Sequence, residues 1–218
     1  MLVDMHLHAL PHSTDSFITL AQIVTQARSR GLDAVCLTDH DSIGGWEAAA
    51  AYSREVGFPI FLGVEYFSLQ GDITAWGIDS IPEGRVEAQA FIDQVNAAGG
   101  FCCACHPFRN NNRGLAAHLG QVTGLHGVEV FNGSTSPEAN QAALDWCREL
   151  GLQPIGASDA HVTGQVGKYA TWLPERVETT EDFVSLLRTR PVRPAVWTGS
   201  GYELAGSCGP VGSLAACP

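Results

Sequence analysis

The sequence predicts an α/β fold, a small or incomplete barrel of strands and helices in a single domain. Three observations point there. Short apolar runs alternate with helical patterns along the chain, the signature of strand–helix units packed around a parallel sheet. About six or seven such units fit within roughly 200 residues, as a small barrel requires. Polar residues also fall at the ends of the apolar runs: His6 and His8, His40, Glu65, His106, Asn132, then Asp159 and His161. In barrels and doubly wound sheets the carboxyl ends of the strands carry the functional groups, so these residues are expected to converge.

Each element has a local reason. LVDMHLH alternates, which puts Asp4, His6 and His8 on one face of a first strand and Val3, Met5 and Leu7 on the other. TLAQIVTQARSRG spaces its apolar residues for a helix and closes on Gly31, a residue suited to the left-handed turn after a helix, before the strand AVCLT. IGGWEAAAAYSREVG repeats the plan, with an alanine-rich helix closed by Gly57. PIFLGVEYFSL and ITAWGI read as strands, RVEAQAFIDQVNAAGG as a helix and FCCACH as the next strand. The second half gives the strand GVEVFN, then the helix SPEANQAALDWCRELG, which opens on Ser-Pro with Glu138 in its first turn. The strands QPIGAS and YATWL, the helix TTEDFVSLLRTR and a last strand at RPAVW follow. Residues 201–218, rich in Gly and Ser, are expected to be a loosely structured tail beyond a domain of residues 1–200.

Composition narrows the function. At 218 residues, with 45% hydrophobic and 16% charged, the chain has enough apolar material for one sizeable core. A formal net charge of −11 argues against extended, sequence-independent binding to nucleic acid, which is driven by Lys and Arg displacing counterions. Carboxylates that hold divalent cations would neutralise part of that charge. Neither a membrane span nor a basic-then-apolar leader is visible, so the default expectation is a cytoplasmic protein with no membrane partner. The seven cysteines are an odd number scattered over a chain too long to need staples, and reduced thiols are expected. CCAC contains C-x-x-C, but on an extended strand Cys102 and Cys105 face opposite ways and cannot chelate together.

The strand ends suggest metal chemistry. Three ionisable groups side by side on a buried face are costly unless something pairs with them, and a divalent cation accepts both imidazole and carboxylate. Glu65 inside the apolar strand LGVEYF, His40 closing LTDH and His106 closing CCACH extend the pattern. GASDAHVTG repeats the two-residue spacing with Asp159 and His161.

The stretches DMHLHALPHSTDS, GLDAVCLTDHDS, GVEYF, CHPFR, GVEVFNG and GASDAHVTGQVG, in that order over residues 2–173, resemble the PHP (polymerase and histidinol phosphatase) family of metal-dependent phosphoesterases. The resemblance implies a distorted (β/α)7 barrel holding two or three divalent ions, Zn, Mn or Fe. It implies that His6 and His8 bind a first ion with Asp159, and that Glu65 bridges it to a second held by His106. Asp15, His40 and His161 would hold a third, with His12 close enough in the same loop to compete with Asp15. Many family members supply a further histidine to the second ion from the strand that reads GVEVFNG here, where only Glu129 and Asn132 stand.

Such a cluster suits in-line displacement at phosphorus by a bridging water deprotonated near neutral pH. The catalytic candidates are His40, Asp159 and His161, with His40 or His161 passing a proton to the leaving alkoxide. The substrate-binding candidates are Arg109, three residues after His106 with a planar fork for phosphate, then Asn132 and Lys168, with Arg113 behind them. The expected substrate is a small phosphorylated molecule, a nucleotide included. A C–N hydrolase of the amidohydrolase type also begins with His-x-His, but it commonly bridges its ions with a modified mid-barrel lysine. The only lysine here, Lys168, comes after SDAH. A metal-containing scaffold without activity is the third reading, and the near-complete donor set favours catalysis over it.

Overall fold

The computed structural model describes residues 1–205. Its strands are β1 (Leu2–Leu7), β2 (Ala34–Leu37), β3 (Ile60–Phe67), β4 (Asp72–Trp76), β5 (Phe101–Ala104), β6 (Gly127–Asn132), β7 (Gln153–Ala157), β8 (Tyr169–Trp172), β9 (Arg193–Trp197) and β10 (Tyr202–Leu204). The helices are α1 (Leu20–Ser29), α2 (Trp46–Val56), α3 (Ala88–Ala97), α4 (Pro137–Leu150) and α5 (Thr180–Thr189). None is long and apolar enough to cross a membrane.

The strands form one mixed sheet in the order β10-β9-β8-β1-β2-β3-β4-β5-β6-β7, curled into a half-barrel. The curl brings the end of β7 back to β1: Asp159 N–H donates to His6 O at 2.9 Å, and Leu7 bridges Ala160 in parallel. Gly156 meets β8 through the Thr171 hydroxyl, which accepts from Gly156 N–H at 3.0 Å and donates to its carbonyl at 2.9 Å.

The sheet is not wholly parallel as the alternating pattern predicts. β4 runs antiparallel to both neighbours, because residues 68–71 are too few for a helical crossover and turn as a hairpin. β8 is antiparallel to β1 and β9, and β10 to β9. The tail expected from residue 201 is structured at its start: β10 pairs with β9, and the Tyr202 hydroxyl donates to Gly167 O at 2.7 Å. Residues 206–218 of that tail lie outside the described residues.

The helices follow the chain's caps. Thr19 and Gln22 bond each other's backbone N–H groups at the start of α1, whose Ile23, Val24 and Ala27 face inward. Ser136 caps α4 ahead of Pro137, and Gly151 ends it at φ 65°, a left-handed conformation that glycine adopts without strain. Inside the curl, Val3, Met5, Ala34, Cys36, Phe61, Phe101, Cys103, Ile155 and Ala157 form one apolar cluster with Phe183 and Leu187 of α5. Phe61 and Phe183 stack with ring centroids 4.3 Å apart. This core fills the amino-terminal half of the interior and leaves the carboxyl ends of the strands for polar groups.

Two bulges redirect side chains. Between the pairs Asp4–Val35 and Leu7–Leu37, β1 has Met5 and His6 where β2 has Cys36 alone. The extra residue breaks the alternation expected for LVDMHLH. His6 and His8 still turn inward, but Asp4 does not share their face. Its carboxylate instead accepts from Ser158 N–H at 2.9 Å and Gly167 N–H at 2.7 Å, tying β1 to the segments after β7. β6 shifts register between Glu129 and Phe131, which lets Glu129 and Asn132, three residues apart, reach the same interior.

Candidate metal centre

The strand-end residues meet at the floor of a cavity of about 550 Å³. His6 and His8 are wholly buried beneath it. His6 Nε2 lies 2.9 Å from His8 Nε2 and 3.2 Å from Glu65 Oε2, and His8 Nε2 lies 3.2 Å from Asp159 Oδ1. Glu65 spans the group, with its other oxygen 2.9 Å from His106 Nε2. Its Oε2 stands 2.8 Å from His40 Nδ1, without hydrogen-bond alignment. At the mouth, Asp15 Oδ2 is 3.2 Å from His40 Nε2 and 3.3 Å from His161 Nε2. His12, in the same loop, rests against Gly44 and Gly45, so close that a Cβ on Gly44 would lie 2.9 Å from its Nδ1. His106 and Asp159 hold positive φ values of 32° and 52°, unusual for residues with a Cβ; such backbone is retained where the surroundings enforce it.

The donor set fits divalent cations. His6 Nδ1 is 2.7 Å from Glu129 Oε1, so in the neutral ring Nδ1 carries the proton and Nε2 aims a lone pair at His8, Glu65 and Asp159. Acceptors gathered this way outnumber the protons available to them. Ligands on a tetrahedral ion with bonds of about 2.0–2.1 Å stand about 3.3 Å apart, which is the scale of these separations. Burial opposes charge on His6, yet Glu129, Asp159 and Glu65 together lift its pKa well above the ordinary value. Burial likewise opposes ionisation of Glu65 and Asp159, but His6 and the neighbouring imidazoles hold both carboxyls well below their usual range. The pocket is a field of negative charge that a cation would balance.

Other candidates fall in different places. Arg109 lines the cavity; its Nη2 donates to Asp159 and, at 2.7 Å, to Asn132 Oδ1, and its Nε donates to the Thr135 hydroxyl. Nη1 is left without a protein partner among the described residues. Asn132, a substrate-binding candidate in the sequence, lies behind Arg109. It is fully buried, its oxygen accepts from Arg109, Ser134 and Thr135, and its amide donates to Glu129 at 2.9 Å and Asp159 at 3.3 Å. The Lys168 ammonium donates to Gly133 O at 2.6 Å, and the residue lies outside the cavity lining.

Three site residues escape a reading by motif. Glu129 orients His6 and also accepts His106 N–H at 3.0 Å. Asp72 pairs with Arg113 at the cavity edge, and beside Gly71 it reads as an ordinary turn acid. The Cys105 thiol lies under the site, 3.6 Å from Glu65 Oε1, whereas Cys102 packs on the outer side near His126. Cys36, Cys102, Cys103 and Cys105 are free, buried thiols, and Cys147 is buried as well.

The PHP domain matches residues 4–155, and the PHP-associated region matches residues 137–192. This chain belongs to the PHP family. It is 27% identical over 142 residues to an uncharacterised protein of Methanocaldococcus jannaschii, covering 61% of this chain and 82% of that one. It is 32% identical over 113 residues to the 3',5'-nucleoside bisphosphate phosphatase of Chromobacterium violaceum, where the match spans 44% of this chain and only 39% of that enzyme. Among solved structures, a protein of Bifidobacterium adolescentis assigned as a metal-dependent phosphoesterase aligns with a TM-score of 0.66 at 20% identity, covering 86% of this chain and 96% of that one. An amidohydrolase of Chromobacterium violaceum, with bound sulfate, aligns with a TM-score of 0.65 at 18% identity, covering 85% and 96%. These two share the PHP family's curled α/β fold with the chain.

Proposed function

We propose that this PHP protein hydrolyses the phosphate ester of a small molecule, using two or three divalent ions, Zn, Mn or Fe. The observation that carries the reading is the convergence of His6, His8, Glu65, His106 and Asp159, with Asp15, His40 and His161 above them, in a cavity edged by Arg109 and Arg113. His6, His8 and Asp159 would hold one ion, Glu65 and His106 a second, and Asp15, His40 and His161 a third. When bound, such ions supply a water that ionises near neutral pH and positive charge opposite the phosphoryl oxygens. Arg109, pinned by Asp159, Asn132 and Thr135, presents its remaining N–H groups to a phosphoryl oxygen. Where only two ions are bound, His40 or His161, about a quarter exposed at the mouth, would hand a proton to the leaving alkoxide. The nucleoside bisphosphate phosphatase among the relatives makes nucleotides the first substrates to try.

The test is phosphate release from a panel of phosphomonoesters, phosphodiesters and nucleotide bisphosphates with added Mn²⁺ or Zn²⁺. Release is expected from part of the panel, and His8→Ala and Asp159→Ala are expected to lower both bound metal and turnover. Normal turnover in either variant would overturn the site assignment. C–N bond hydrolysis is the second reading, favoured by the fold shared with an amidohydrolase. Cleavage of an amide or cyclic urea, with no phosphate release under any metal, would select it.

A further inference from the structure

We propose that Asp72 is a ligand of the second ion and takes the place of the histidine absent from β6. This rests on the metal-dependent reading above. The sequence leaves Glu65 and His106 one donor short, and three buried side chains compete to supply it. Asn132 stands on the strand where the histidine is missing, but its oxygen and both amide protons are already engaged by Arg109, Glu129, Asp159 and their neighbours. The Cys105 thiol lies beneath Glu65, with its hydrogen directed at Oε1.

Asp72 differs from both. Because β4 runs backwards, its first residue lies at the carboxyl end of the barrel strands, paired with Phe67 at the end of β3. The reversed strand thus delivers a carboxylate to the side of the site where the donor is lacking. Asp72 is fully buried, and its Oδ2 stands 3.9 Å from His106 Nε2. One ligand atom each from Glu65, Asp72 and His106 lie within 4.8 Å of one another.

Arg113 holds the acid in place. Its Nε donates to Asp72 Oδ2 at 2.7 Å, its carbonyl accepts from Asp72 N–H at 2.6 Å, and its guanidinium lies over the Phe67 ring, 4.0 Å from the centroid. The loop that carries Arg113 is seated closely on the strand: a Cβ on Gly71 would lie 2.6 Å from Gly114 C. One Asp72 oxygen is therefore fixed by a cation of the chain, while Oδ1, equally buried, has no hydrogen-bond partner in the structure. A buried carboxylate oxygen without a partner is expensive, and a divalent ion shared with Glu65 and His106 would remove that cost.

The experiment counts ions per chain by elemental analysis after Zn²⁺ loading and desalting, for the parent, Asp72→Asn and Cys105→Ala, with thermal melting to verify folding. Asp72→Asn is expected to lose one ion per chain and Cys105→Ala none. The inference is overturned by a full count in Asp72→Asn, or by loss of an ion in Cys105→Ala alone. A parent that holds no ion would instead bring down the metal-dependent reading itself. Anomalous diffraction from crystals of the unmodified protein grown with Zn²⁺ decides the matter even if Asp72→Asn does not fold. An ion within about 2.2 Å of an Asp72 oxygen is expected, and an ion on Glu65 and His106 that leaves Asp72 unbonded refutes the assignment.

Discussion

Glu129 never faces the cavity, yet three contacts converge on its carboxylate: His6 Nδ1, His106 N–H and the Asn132 amide. A carboxylate behind a ligating imidazole fixes which nitrogen carries the proton and raises the basicity of the other, an effect worth about 10–100-fold in metal affinity or activity. Glu129→Gln is therefore expected to weaken Zn²⁺ binding by about 10–100-fold, read by competition with a chromophoric chelator. His126 offers a second test at this scale. Burial and then the Arg188 charge hold its pKa below the ordinary histidine value, so the native chain resists a proton that the unfolded chain accepts. Its stabilising contribution is present above about pH 6.5 and is lost as the pH falls below that. Melting temperatures measured from pH 7.5 down to 5.5 are expected to decline less steeply in His126→Gln than in the parent. The sequence made His6, Glu65 and Asp159 legible because chemical type and two-residue spacing are local. It did not disclose the roles of Glu129 and Asn132, which depend on neighbours brought in by the folded chain.

The strands and helices predicted from periodicity are present, because each strand needs only one apolar face and each helix only its stripe and caps. Direction was harder to read. β4 reverses because residues 68–71 form a hairpin, and a run such as ITAW carries no mark of which way its strand points. The seam between β7 and β8 is another property of paired elements. A Cβ on Gly156 would lie 2.4 Å from Ala170 O, closer than a folded chain permits without movement. Gly156→Ala is expected to lower stability by about 1–3 kcal/mol, the usual cost of overpacking, as measured by urea unfolding. Asp159, three residues on, should lose its register with His6 as the seam opens, so the same variant is expected to bind metal more weakly.

Across the whole molecule the carboxylates and imidazoles of the centre come from β1, β3 and β4 and from the loops after β1, β2, β5 and β7, so the site exists only when the curl is complete. Ions that bind only the folded state stabilise it by mass action, about 2.7 kcal/mol at a hundredfold excess over the dissociation constant. Chelator-treated protein is accordingly expected to melt at lower temperature, with the loss reversed by Zn²⁺ or Mn²⁺ in proportion to concentration. An unchanged melting curve would mean that the donor cluster does not hold ions. By itself the sequence determined the donor chemistry, the alternation of elements and the placing of polar groups at strand ends, since each follows from residue type and short-range period. Only the tertiary structure decided which of those groups meet. The bulges in β1 and β6 turn Asp4 away and Asn132 inward, the reversed β4 brings Asp72 to His106, and Lys168 bonds the Gly133 carbonyl. The physical reason is that a side chain's face depends on register with strands far away in the chain, and a one-residue shift in register changes its partners.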